Sequence, residues 1–123
     1  MAKKNDSRKS QMKTIYELQA EICGALASPV RLQILDLISA SEKTSADLLQ
    51  ILEIPKANLS QHLAVLKDAG ILQSRKEGQF QYLSLAIPKI RDACALVKTV
   101  LADKIALEEK KNSELIRELR AQR

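Results

Sequence analysis

The tetrapeptide "EIPK" at residues 53–56 constrains this chain more than any other stretch. Pro55 has no backbone N–H and a fixed φ, so it cannot continue a helix from upstream, yet it suits the start of a new one. Short runs with helical apolar spacing lie on both sides. Before it, "TSADLLQIL" opens with Thr44 and, three residues on, Asp47, a capping-box spacing with Asp in the Glu role. After it, "KANLSQHLAVLKDAG" places Leu59, Leu63 and Leu66 at i, i+4 and i+7, on one stripe. Two short helices joined by so few residues form a helix-turn-helix, the first packing and the second presenting a face.

The composition of that second helix is unusual for a packing element. Its first turns carry Lys56, Asn58, Ser60, Gln61 and His62. At about 100° per residue, Lys56, Ala57, Ser60, Gln61 and Ala64 point away from the leucine stripe. A face of small and hydrogen-bonding residues lets a helix lie close in a major groove and bond base edges or phosphates. Gly70 then supplies a left-handed stop.

Elsewhere the pattern is equally directive. "ILQSRKEGQFQYLSL" reads as two strands around a turn containing Gly78, with Arg75 and Lys76 leading into the turn and Phe80 and Tyr82 alternating on the return. A hairpin with a basic tip directly after such a helix makes a wing. Upstream, Met12, Ile15, Leu18, Ile22 and Leu26 space an amphipathic helix. Ser28-Pro29 then caps and starts "PVRLQILDLISA", apolar on more than one side and so central to the core. After Pro88 no breaker occurs, and one long helix is expected, running toward the C-terminus. Its seam of Ile90, Cys94, Val97 and Leu101 fades over residues 108–113 and returns weakly at Leu115, Ile116 and Leu119.

The expected architecture is therefore mainly α with a small β-hairpin wing. Residues 1–11 form a disordered basic arm (Lys3, Lys4, Arg8, Lys9), residues 12–107 a winged helix-turn-helix DNA-binding and dimerisation domain, and residues 108–123 a solvated helical extension. Aromatic residues are 2% of the chain and Trp is absent, so the core must be aliphatic. A net charge of +5 favours an acidic partner such as double-stranded DNA. With no signal pattern and no long apolar run, a cytoplasmic protein without a membrane partner is expected. There is no Gly-rich phosphate loop, no paired carboxylates beside a His and no nucleophile–base pair, so neither an enzyme nor a cofactor is expected.

Three segments, "ALASPVRLQILDLI", "NLSQHLAVLKDAGIL" and "SRKEGQFQYLSL", closely resemble the ArsR/SmtB family of bacterial winged-helix repressors, in the same order, across residues 20–90. The resemblance implies a homodimer, formed through the first and last helices, that binds an inverted repeat over a promoter and is released by an inducer. It carries Lys56, Ala57, Ser60 and Gln61 onto groove-facing positions and Arg75, Lys76 and Gln79 onto the wing. Pro55 departs from the family, standing where many members have a capping Ser. The two metal sites common in the family are missing: the helix at residues 45–52 has no Cys or His, and the last helix has no His.

His62 is the only histidine and lies at the flank of the outward face. A phosphate contact or a packing role between helices suits it, whereas one His without a Cys or Glu cluster cannot build a tetrahedral metal site. Cys23 and Cys94 fall on the first and last helices, and three roles are open to them: packing, a redox or sulfur switch, or a soft-metal site. They do not match the positions of the sensing cysteines of thiol-responsive relatives. A winged helix that docks proteins through its long last helix is the alternative to a DNA-binding regulator.

Overall fold

The structure, a computed structural model, describes the backbone of residues 3–122 and the side chains of residues 14–122. In chain order the elements are α1 (Lys3–Ala25), α2 (Pro29–Ala40), β1 (Lys43–Thr44), α3 (Ser45–Leu52), α4 (Lys56–Asp68), β2 (Leu72–Glu77), β3 (Phe80–Leu85) and α5 (Lys89–Ala121). They fall into two units, Met1–Ile90 and Arg91–Arg123.

The core of the first unit is aliphatic, as the composition requires. Ile34 and Leu35 of α2, Leu48 of α3, Leu59 and Leu66 of α4, Ile71, and Leu83 of β3 are almost entirely withdrawn from solvent. Burying a side chain of this size stabilises by about 1.5–3 kcal/mol, so these seven residues carry much of the fold. The leucine stripe of α4 is buried at all three positions, Leu59, Leu63 and Leu66. On α2, Ile34, Leu35 and Ile38 are buried but Leu32 is exposed, so its apolar surface is only partly used within the unit.

Caps explain where the helices begin and end. Ser28 accepts from the Arg31 amide at 3.3 Å, with Pro29 in the first turn of α2. Thr44 and Asp47 form the reciprocal capping box of α3: the Asp47 amide donates to Thr44 Oγ1 at 3.1 Å, and the Thr44 amide donates to Asp47 Oδ2 at 3.0 Å. Glu53 ends α3 in the left-handed region, at φ 53°. Pro55 stands at the N-cap of α4 and offers no side-chain cap. At the other end, the Ile71 amide reaches Leu66 O at 3.0 Å and the Gly70 amide reaches Lys67 O at 2.9 Å. That is a Schellman closure, with Leu66 and Ile71 as its buried apolar pair.

The sheet holds one strand more than the sequence suggests. Its order is β1-β3-β2, antiparallel throughout. β1 pairs Lys43 with Leu83 and Thr44 with Tyr82; two residues are too few to show alternation. Thr44 thus ends a strand and caps a helix at once. In the wing, Glu77 pairs with Phe80 across Gly78 and Gln79. Gly78 has φ 63° and Gln79 has no positive φ, the pattern of a type II′ turn with Gly first.

α1 begins at Lys3, inside the segment expected to be a disordered arm. No Pro or Gly occurs between Lys3 and Cys23, so nothing interrupts helical propensity there; the arm's basic side chains lie outside the described residues. In the second unit, α5 runs unbroken to Ala121, with Leu96, Val97, Val100 and Leu101 exposed and Lys104 paired to Glu108 at 3.6 Å.

Two stability effects are expected. Gly70 has φ 76°, and an added Cβ would meet nothing within 4 Å. Gly70→Ala should therefore cost only the backbone penalty, about 1–2 kcal/mol in urea unfolding. The Asp47 carboxyl is held below its ordinary value of 3.8, first by the Thr44 amide and then by the Thr44 hydroxyl. A depressed carboxyl favours the folded state above its unfolded value, and that contribution disappears as pH falls through the folded value. Between neutral pH and about pH 3, wild-type protein should lose more stability than Asp47→Asn.

Candidate nucleic-acid interface

The exposed side of α4 faces in two directions. Lys56, Ser60, Ala64 and Lys67 line an open groove of about 410 Å³, with Leu59 and Leu63 also on its wall. Across the groove stand Thr44 and Ser45 at the start of α3, and Gln79, Phe80 and Gln81 of the wing. Ala57, Asn58 and Gln61 are exposed on α4 but lie outside this groove. Among the described lining residues there are two lysines, three hydroxyls and two carboxamides, and no carboxylate. Such a set donates hydrogen bonds and attracts anions without repelling them. The sequence reading found Lys56, Ser60 and Gln79 but missed Thr44, Ser45, Lys67, Phe80 and Gln81. Only the sheet brings Thr44, Ser45, Phe80 and Gln81 against α4, and periodicity along one helix does not reveal it; Lys67 lies on α4 itself, at helical spacing from Lys56 and Ser60.

The wing cations differ from one another. Arg75 donates from Nη2 to Glu42 at 2.7 Å and from Nη1 to Glu77. Its guanidinium lies 4.8 Å from the centre of the Tyr82 ring, its partner across the β2–β3 ladder. Glu77, then Glu42, raise the pKa of the guanidinium further above its ordinary value. Arg75 is thus an anchor of the wing, tied to the α2–β1 connection through Glu42. Lys76, next along β2, is exposed and makes no ion pair among the described residues.

His62 is half-buried, and Arg31 Nη1 lies 3.2 Å from its Nδ1. Its place is between helices, on the flank of α4. Cys23 is exposed on α1 and Cys94 half-buried on α5, each in a different unit. Among the described residues, no group of three or more His, Cys, Asp or Glu is placed to hold a metal ion. No single described helix is long and apolar enough to cross a membrane.

A helix-turn-helix domain model matches residues 26–75, from the end of α1 into β2. An uncharacterized HTH-type transcriptional regulator of Mycobacterium tuberculosis, Rv0081, is 35% identical over 100 residues, covering 77% of this chain and 88% of that protein. The chain belongs to the ArsR/SmtB family of winged helix-turn-helix regulators. The transcriptional repressor SdpR of Bacillus subtilis is 35% identical over 69 residues, covering 56% of this chain and 77% of that protein. A homodimeric winged helix-turn-helix DNA-binding domain from Mycobacterium bovis, described as a possible ArsR-family regulator, superposes with a TM-score of 0.71 at 28% identity, covering 77% of this chain and 88% of that one. The crystal structure of Rv0081 gives 0.70 at 34% identity, over 75% of this chain and 93% of that one.

The Arg75 cluster sets a testable expectation. Glu42→Gln should tighten DNA binding several-fold, by releasing one Arg75 donor and removing a charge that repels phosphate. In an Arg75→Ala background the same substitution should bring a smaller gain. Fluorescence anisotropy with a labelled duplex reads both.

Proposed function

We propose that this chain is a homodimeric, sequence-specific double-stranded-DNA-binding transcriptional regulator, a repressor that leaves an inverted-repeat operator when an inducing signal arrives. The observation that carries this reading is the groove between α4 and the wing, cationic and donor-rich with no carboxylate among its described lining residues. Lys56 and Lys67 supply charge to the phosphates flanking α4. The first-turn amides of α4 have no acceptor within the helix, and Pro55 caps none of them, so they point outward as anion donors. Ala57 keeps the helix axis close to the bases. Asn58, Ser60 and Gln61 offer the hydrogen bonds that tell bases apart. Lys76 and Gln79 reach the backbone beside the helix.

The second copy is supported by apolar surface that a single chain leaves in water. Ile15, Tyr16 and Leu18 of α1 are 54–64% exposed, and Leu96, Val97, Val100 and Leu101 of α5 are 53–66% exposed. Faces of this kind on monomeric proteins mark association sites. Dimerisation through α1 and α5 covers them and presents two copies of α4 to two half-sites. Residues 108–123 extend α5 beyond that interface.

Binding should weaken steeply with salt, with a log–log slope of about −0.9 for each phosphate neutralised. Gln61→Ala should cost about 1–3 kcal/mol and relax sequence preference at one position if Gln61 reads a base edge. Anisotropy titrations with a promoter fragment and a scrambled duplex test both expectations. Equal affinity for the two duplexes would overturn the sequence-specific reading.

A further inference from the structure

Arg31 belongs to α2 and is not among the residues that line the groove, yet it is bonded to the helix that does. Its Nε donates to Ala25 O at 2.7 Å and its Nη2 to Gly24 O at 3.2 Å. Both acceptors are end carbonyls of α1, which has no basic residue of its own in its last turn. Arg31 therefore supplies the cation and donors that a helix C-terminus lacks. The remaining donor, Nη1, meets His62 Nδ1 at 3.2 Å. Arginine only donates, so Nδ1 is the acceptor in this bond. One planar, rigid fork thus joins the end of α1 to the middle of α4.

His62 follows Gln61 directly and lies two residues beyond Ser60. Rotation of α4 about its axis would move His62 and those two side chains together. The leucine stripe resists large rotations but is made of aliphatic contacts without direction, whereas the Arg31 bond is directional. We propose that Arg31 is a positioning residue for DNA recognition, setting the rotation of α4 through His62 and referring it to the end of α1. This rests on the reading of α4 as the DNA-contacting helix. Because α1 also carries the exposed face assigned to the second copy, the same fork makes the rotation of α4 depend on the α1 end.

The test uses the full chain and a labelled duplex selected by it from a random-sequence pool, with an unrelated duplex as control. Four variants are compared: Arg31→Met, His62→Leu, the double variant, and His62→Asn, whose side-chain oxygen replaces the Nδ1 acceptor. Affinities are measured where urea unfolding shows each variant folded. Arg31→Met and His62→Leu should each weaken binding to the selected duplex roughly tenfold, the scale of one charge-assisted hydrogen bond. The unrelated duplex should lose less. The double variant should be no worse than either single, and His62→Asn should regain most of the wild-type affinity. If Arg31→Met does not fold, His62→Leu and His62→Asn still decide the matter. Unchanged affinity in the folded single variants, or losses that add in the double variant, would overturn the proposal alone. Failure of the wild-type chain to select any duplex would overturn the reading of α4 and this proposal with it.

Discussion

Burial of the leucine stripe of α4 is the contact on which the rest of the molecule depends. Leu59, Leu63 and Leu66 lie at the meeting of α2, α3 and the sheet, and once they are buried the opposite side of the helix has no choice but to face outward. What it presents is then a matter of sequence alone: mostly lysine, alanine, asparagine, serine and glutamine, with Val65 the one large apolar side chain of α4 left exposed. The chain has no aromatic residue in this core and does not need one. Aliphatic side chains of α2, α3, α4 and two strands fill most of the volume, and the Schellman closure at Gly70 turns the chain straight from α4 into β2 with Ile71 and Leu72 buried.

The wing is held by a different kind of force. Beyond Leu72 every β2 side chain is exposed, and on β3 only Leu83 is buried. Its order comes from the ladder, the two-residue turn at Gly78, and the polar cluster in which Glu42, Arg75, Glu77 and Tyr82 meet. Exposed ion pairs contribute little each, but several converging on one guanidinium stacked on a ring restrict its position. Arg75 is accordingly held like a strut, whereas Lys76 beside it is exposed and makes no ion pair among the described residues.

Much of this was legible in the sequence because caps and breakers are local. Ser28-Pro29, Thr44 with Asp47, Pro55 and Gly70 each end or begin an element where the structure does, and the i, i+4, i+7 leucines assign the buried side of α4. The parts that were not legible depend on pairing between distant segments. The two-residue β1 has no pattern of its own and exists only because β3 offers it a partner. The partnership of Arg75 with Glu42 spans 33 positions, and that of Arg31 with His62 spans 31. The start of α1 was missed for another reason: a polar run without apolar period reads as disordered, although nothing in it opposes a helix. Of the site, the face of α4 was readable from periodicity. The far wall of the groove was not, since α3 and the wing meet it only in three dimensions.

Thr44 has a consequence for how the two elements that line the groove behave together. It is hydrogen-bonded into the sheet opposite Tyr82 and, in the same residue, closes the first turn of α3. No hinge residue lies between the wing's sheet and the helix-turn-helix. The distance from wing to α4 is therefore a built-in gauge, not an adjustable grip. On the proposed function, a double helix whose groove is wider or narrower than that gauge would have to deform to fit, at an elastic cost that depends on its own sequence. Selectivity can thus arise at base pairs that no side chain touches.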